Sequence, residues 1–438
     1  MSRPMKDSGV EWIGEIPADW ELAKIKYILQ ERNEKNSPVK STEILSLSAA
    51  NGVVPYSEKS GGGNKAKEDL SLYKLAYPND IVMNSMNIIA GSVGLSKYYG
   101  CVSPVYYMFY SDKQDTSIRY YSNIFQSKEF QRSLMGLGNG IMMKHSEKSD
   151  KLNTIRLRIP VEKMKNIMLP IPPEKEQQKI ATFLDDKTVQ IEAIIDSTKQ
   201  SLVEFKKYKQ ALITETVTKG LKPDVKMKDS GNEWIGEIPE QWDVSKLKRF
   251  SNIRYGLGEP PKLSEDGLPI IRATNIERGK IVTNNLIKAK IEDIPSAKDV
   301  VLKHGDILIV RSGAYAGDVA LVPQEWEGAL AGYDMIISLF DINPKFVSYA
   351  LLSDYILKAQ LYLSRMRSAQ PHLNAADVGR VQVVVPSLSE QQQIVAYLDE
   401  KCAHIDSLIA DKEKLIGELE DYKKSLIYEY VTGKKEVE

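Results

Sequence analysis

The sequence predicts an α+β fold: two similar domains separated by two long antiparallel coiled-coil helices, arranged as a pseudo-twofold. Three observations carry that expectation. Residues 5–20 return as residues 227–242 with 13 of 16 positions identical, only Val10/Asn232, Ala18/Glu240 and Asp19/Gln241 differing. Residues 176–218 match residues 390–432 without a gap, as in Phe183-Leu184-Asp185 against Tyr397-Leu398-Asp399. Between these echoes, residues 21–170 and 243–386 resemble each other only weakly. The expected boundaries are 1–170 for a first arm and domain, 171–222 for a spacer helix, 223–386 for the second arm and domain, and 387–438 for a second spacer helix.

The arms each carry two tryptophans, Trp12 with Trp20 and Trp234 with Trp242, which read as core anchors. In the domains, Asp80-Ile81-Val82-Met83 and Gly305-Asp306-Ile307-Leu308-Ile309-Val310 predict buried strands bounded by turns. Glycine-punctuated turns and a further strand follow each, then a helix near 118–135 and near 344–363. One scaffold with two different surfaces is what two separate recognition specificities require.

From Glu174 no Pro or Gly appears until Gly220. Ala181, Ile195 and Leu202 mark one seam position, and Leu184, Ile191, Phe205 and Leu212 the other. The second copy repeats the seam with Val395, Cys402, Ile409 and Ile416, then Leu398, Ile405, Leu419 and Leu426. Thr188, Thr198, Lys209, Lys412 and Lys423 interrupt it and are expected to fix register. Proline-rich stops precede both helices, and Ser389 is the expected N-cap of the second. Because one chain supplies both strands of a coiled coil, the helices are expected to pair with each other rather than to homodimerise.

The 438 residues suffice for two or three domains with their own cores, and 42% apolar with 27% charged residues is ordinary for a globular protein. No signal core or membrane-length apolar run is present, and two cysteines, Cys101 and Cys402, do not make a disulfide framework. A reducing cytoplasm is the expected location. Lys+Arg equals Asp+Glu at 59 each, which excludes a uniformly basic DNA-coating protein. The distribution is uneven: residues 1–170 hold 23 basic against 18 acidic side chains, and 387–438 hold 7 against 12. Binding through local basic loops survives that test.

Candidate DNA contacts follow from loops whose side chains match phosphates or base edges. In the first domain they are Asn64, Lys65 and Lys67 in the Gly-rich loop, Asn84 and Asn87 after the Asp80 strand, and Lys144 and His145 after Gly138-Asn139-Gly140. In the second they are Arg272, Asn275, Arg311, Tyr315, Arg365, Arg367, Gln370, His372 and Asn374. Arginine suits guanine, and Asn or Gln suits adenine.

Catalytic motifs do not persuade. Gly136-Leu137-Gly138-Asn139-Gly140 lacks the acidic partner of a dinucleotide site, and Gly61-Gly62-Gly63-Asn64-Lys65 lacks the ending of a phosphate loop. The Asn/Asp-Pro-Pro-aromatic box of an adenine methyltransferase is absent, since Pro172-Pro173 and Pro260-Pro261 do not supply it. Glu204-Phe205-Lys206 has a nuclease-like Glu-x-Lys ending, but Phe205 sits on the seam, so a helix flank explains the pair. His145, His304, His372 and His404 are scattered, and no metal site is expected.

The duplicated Trp-Ile-Gly-Glu-Ile-Pro-x-x-Trp arm, Pro-Ile-Pro-Pro-Glu-Lys-Glu-Gln-Gln-Lys-Ile at 170–180 and Pro-Ser-Leu-Ser-Glu-Gln-Gln-Gln-Ile at 386–394 resemble the specificity (S) subunit of type I restriction–modification systems, over essentially the whole chain. The resemblance implies two target-recognition domains, each reading half of a split asymmetric DNA site, with the helices setting the gap. It implies two modification subunits bringing S-adenosylmethionine and adenine-N6 methylation, and restriction subunits using ATP and Mg. No catalytic residue, cofactor or metal is then expected on this chain. Two other readings remain at this stage, a scaffold joining partners without reading sequence, and a nuclease or methyltransferase in its own right. Sequence preference of an assembled complex separates the first, and activity of the purified chain the second.

Overall fold

The computed structural model describes residues 3–48, 52–59, 67–139, 158–259, 261–294, 300–365 and 372–437. The chain divides into two compact units, one of residues 1–198 with 414–438 and the other of residues 199–413. The division falls inside both long helices, Glu174–Lys219 and Leu388–Val431.

Each unit carries the arm as a hairpin, Met5–Asp7 with Glu15–Pro17 in unit 1 and Met227–Asp229 with Glu237–Pro239 in unit 2. The chain then enters a four-stranded antiparallel sheet whose plan is the same in both. In unit 1 the order across the sheet is Gln30–Arg32, Tyr106–Tyr110, Ile81–Asn84, Val93–Leu95. In unit 2 it is Ser251–Tyr255, Met335–Leu339, Ile307–Ile309, Val319–Leu321. The registers agree too, with Tyr107 opposite Met83 and Met335 opposite Ile309.

The central strands carry apolar residues pointing to both faces, because both faces of the sheet are covered. In unit 1, Ile81, Met83, Tyr107 and Phe109 face the main core, while Val82 and Met108 face a second cluster with Leu45 and Val102. In unit 2, Ile307, Ile309, Met335 and Ile337 face the main core, while Leu308 and Ile336 face a cluster with Ile271 and Val322. The expected helices end sooner than predicted. They run Ile118–Gln126 and Pro344–Leu352, and the chain continues as Lys128–Ser133 in one unit and Tyr355–Gln360 then Leu361–Arg365 in the other. Ser127 and Ser353 stand at the breaks, each hydroxyl bonded to a carbonyl three residues back, a local bond that competes with continued helix.

Within each unit the long helices pack antiparallel. In unit 1 Phe183 lies 4.5 Å from Tyr430 between ring centroids, and Lys423 pairs with Glu192. In unit 2 Lys209 pairs with Asp406 at 2.6 Å, Lys206 with Glu413 at 3.2 Å, and Lys412 lies over Phe205 at 5.6 Å. The three lysines that interrupt the seam therefore each meet a specific partner on the facing helix, a polar register lock. Thr198 instead returns its hydroxyl to Ile194 O at 2.7 Å.

The Glu-Gln signature opening each helix has a structural reason. Trp20 is fully buried and its indole donates to Glu176 at 2.9 Å, while Trp242 donates to Glu390 at 3.2 Å. Gln177 accepts from Ser117 N at 2.9 Å and donates to Pro172 O at 2.9 Å. Gln391 does the same with Asn343 N at 2.9 Å and Pro386 O at 2.8 Å. One glutamate thus holds the arm and one glutamine holds the entry to the domain helix. The second long helix begins at Leu388, two residues before the expected start. Ser387, not Ser389, closes it, its hydroxyl accepting from Glu390 N while the Glu390 carboxylate accepts from Ser387 N, a reciprocal box. Burial raises the Glu390 carboxyl pKa, but the bonds from Ser387 and Trp242 outweigh it and leave the group below its ordinary range.

Both helices end at a glycine with positive φ, Gly220 at +79° and Gly433 at +71°. A side chain on Gly220 would stand 3.0 Å from the Trp242 ring, and one on Gly433 would overlap Pro17 and Trp20. Trp12 packs edge-on against Phe130 at 5.4 Å, as an anchor should. Trp234 does not. It is 43% exposed and has no ring partner among the described residues, so the identical arm finds a different neighbourhood in unit 2.

Candidate nucleic-acid interface

The two sheets share a buried ion pair. Arg32 Nε donates to Asp80 at 2.8 Å, and Arg254 Nη2 to Asp306 at 3.0 Å. In both units the arginine lies on the edge strand and the aspartate leads into the central one. Burial pushes the Asp80 carboxyl above its ordinary range even with Arg32 beside it. These arginines are committed to the scaffold and are not free to read a ligand.

Past the central strand the units diverge. Ser85 O accepts from Ile159 N at 3.0 Å, and Arg311 O accepts from Leu373 N at 2.8 Å, so Ser85 and Arg311 occupy one backbone position. Ser85 is buried. The Arg311 guanidinium instead lies over Tyr255 at 4.9 Å and over Tyr333 at 4.2 Å. At this one position the frame carries a buried serine in unit 1 and a cation stacked on two rings in unit 2.

The structure brings several predicted residues of unit 2 together around this point. Ser312 bridges to His372, His372 is half-buried, and Arg365 Nη1 donates to Ala316 O at 3.0 Å from over Tyr362. Tyr315, in the turn after Arg311, is 61% exposed. Arg272 is adjacent to Gly332, with its Nη2 on Asn285 O at 2.6 Å. Two candidates are otherwise occupied. Asn275 is fully buried, donating to Val282 O and Asn284 O and accepting from Arg272 N, so it fastens a turn and offers no edge to a base. Asn374 is the N-cap of the helix Ala375–Arg380 and accepts from Asp377 N at 2.9 Å. Capping amides and reading amides both favour loops, so sequence alone does not separate them.

In unit 1 Lys67 is exposed with its backbone N–H on Tyr73 at 3.0 Å, Asn84 accepts from Met86 N at 3.0 Å, and Asn87 is half-buried beside it. Asn64, Lys65, Lys144, His145, Arg367 and Gln370 lie outside the described residues. Tyr255 and Tyr333 were not among the sequence candidates. Nothing in their spacing from Arg311 links them, because the sheet order alone brings their strands side by side.

Asp334, next to Tyr333, accepts from Arg311 N at 3.3 Å through one oxygen, and its other oxygen is buried without a partner. Burial pushes its carboxyl up from an ordinary 3.8 to about 6. The folded state therefore holds this proton more tightly than the unfolded chain. That contribution is present at low pH and fades as pH rises from about 4 to 6, by at most about 3 kcal/mol. Asp334→Asn should gain stability over the parent across that interval, read by urea denaturation at pH 4 and pH 7. An unchanged difference between the two proteins at both pH values would contradict the assignment.

One buried frame, built twice and dressed with unlike loops, defines a double-headed recognition protein. Residues 17–203 and 239–418 match the family described as type I restriction modification DNA specificity domain. The chain belongs to that family and carries its domain twice. It is 25% identical to the type I restriction enzyme MjaVIII specificity subunit of Methanocaldococcus jannaschii, over 96% of this chain and 93% of that one. It is 26% identical to the EcoBI specificity subunit of Escherichia coli, over 62% of this chain and 59% of the relative. In fold it is similar to a chain from a solved type I R-M system, with a TM-score of 0.70 at 14% identity over 96% of this chain and 99% of that one. The HsdS subunit of Thermoanaerobacter tengcongensis superposes with a TM-score of 0.52 at 14% identity, over 96% and 98%. The chain is thus a non-catalytic specificity subunit of a type I system, concerned with DNA sequence. No described helix is long and apolar enough to cross a membrane.

Proposed function

We propose that this chain reads a split, asymmetric site in double-stranded DNA, each unit taking one half through the major groove, and presents that site to partner subunits. Two modification subunits would bring S-adenosylmethionine and the adenine-N6 methyltransferase centre, and restriction subunits would bring ATP- and Mg-dependent chemistry. Base flipping by the modification subunit would deliver the adenine. The paired long helices would fix the gap between half-sites, and the complex would act in the cytoplasm. The observation that carries this reading is the pairing of a scaffold repeated in both copies with unlike loop chemistry, Arg32–Asp80 matching Arg254–Asp306 while unit 1 has Ser85 at the position where unit 2 has Arg311.

The test is a complex reconstituted with its modification subunits, offered a pool of randomised duplexes with S-adenosylmethionine, and the methylated fraction sequenced. A two-part motif with a fixed gap is expected. Methylation without sequence preference would leave only a scaffold, and methylation or cleavage by the purified chain alone would make it an enzyme.

A further inference from the structure

We infer that Arg311 is the residue through which unit 2 demands a guanine at one position of its half-site, and that Tyr255 and Tyr333 position it; this rests on the DNA-reading function proposed above. Three other arginines around this point of unit 2 spend their donors inside the fold. Arg254 spends its donors on Asp306 and Ser338, Arg272 on Asn285 O, and Arg365 on Ala316 O. Arg311 is held differently. Two rings grip its guanidinium, and its side chain makes no hydrogen bond or ion pair with any described residue. A cation held by stacking keeps its N–H donors for a ligand, whereas one held by a carboxylate does not.

The grip is rigid. Tyr255, Met335 and Ile309 lie in register across three adjacent strands, Arg311 follows Ile309 by two residues, and Tyr333 precedes Met335 by two. All three side chains therefore leave the same end of the sheet. The Tyr255 hydroxyl accepts from Ala375 N at 3.0 Å, and the Arg311 peptide is fixed on one side by Asp334 and on the other by Leu373. Gly256 and Gly332, each beside one of the rings, lie so close that a Cβ on Gly256 would overlap Gly332 O. Both rings remain partly exposed, Tyr255 at 38% and Tyr333 at 49%, so the clamp opens to solvent at the loop end. The Arg311 Nε is buried, and its two Nη groups, without a described hydrogen-bond partner, form a planar pair of donors that matches the paired acceptors O6 and N7 of guanine in the major groove. The equivalent position in unit 1 is Ser85, which is buried, so that position makes no such demand in unit 1.

The test uses the full reconstituted complex, with the methylated motif sequenced for the parent, Arg311→Ala and Arg311→Lys. In both variants one G·C position of one half-site should relax, with discrimination there falling by about 5- to 150-fold, while the other half-site stays unchanged. The unaltered half-site also reports that the variant is folded and assembled. Arg311→Lys keeps the charge but loses the fork, so it should keep the parent's salt dependence and still read poorly. If Arg311→Ala weakens all duplexes alike and lowers the salt slope by about one while the motif is kept, Arg311 touches phosphate and the inference fails. An unchanged motif and affinity would overturn it as well. A parent complex with no motif at all would instead refute the DNA-reading function, so the two failures are distinguishable.

Discussion

Replacing Trp20 by alanine should destabilise unit 1 by about 3–5 kcal/mol, as large buried aromatic truncations do. Trp20 is fully buried, its indole nitrogen donates to Glu176 at 2.9 Å, and Arg3 lies over its ring at 5.6 Å. The Arg3 guanidinium also joins Asp19 at 2.8 Å and Glu176, so losing the ring uncovers a charged cluster along with a cavity. The ring further covers Gly433, where the C-terminal helix ends, so one truncation loosens the arm and both long helices together. Trp242→Ala should act alike in unit 2, where the ring covers Gly220. Denaturation followed by tryptophan fluorescence and circular dichroism measures this. A loss below about 1 kcal/mol would mean the site collapses around the change, and the anchor role would not stand.

Adding seven residues between Thr198 and Lys199, and none to the partner helix, should abolish cognate recognition while each unit still folds. One heptad adds about 10.5 Å of helix. It also throws Glu192–Lys423 on one side and Lys209–Asp406 on the other out of common register, since each pair is fixed within its own unit. Two heads on one support bind as a linked pair, and losing their common geometry costs about 10²- to 10⁴-fold in affinity. Cognate affinity within a few-fold of the parent would remove the helices from any spacing role. Binding is measured with the reconstituted complex on its own motif, and the thermal melting of the chain checks that both units persist.

The repeat, the long helices and the central strands were legible in the sequence because each leaves a periodic or copied signal. The seam from Ala181 to Leu212 is such a signal, and so is Ile81-Val82-Met83, whose two faces are both covered. Helix ends were less legible. Ser389 is the residue the sequence points to, but Ser387 has the same capping chemistry and holds the bond to Glu390. The candidate interface was legible by composition alone. Arg311 and Asn275 are equally suited to bases as isolated residues, but folding spends every polar atom of the Asn275 amide and none of the Arg311 guanidinium. Trp234 shows the opposite limit, since a segment copied almost letter for letter takes its burial from neighbours that were not copied.

Unit 1 is assembled from both ends of the chain, 1–198 and 414–438, whereas unit 2 is one unbroken stretch. As the polypeptide leaves the ribosome, Tyr120 waits for the Val431 carbonyl that its hydroxyl meets at 2.7 Å, and Ile13 waits for Tyr428. The half translated first is thus the half completed last. Removing residues 428–434 should therefore strike unit 1, which is built around them, and spare unit 2.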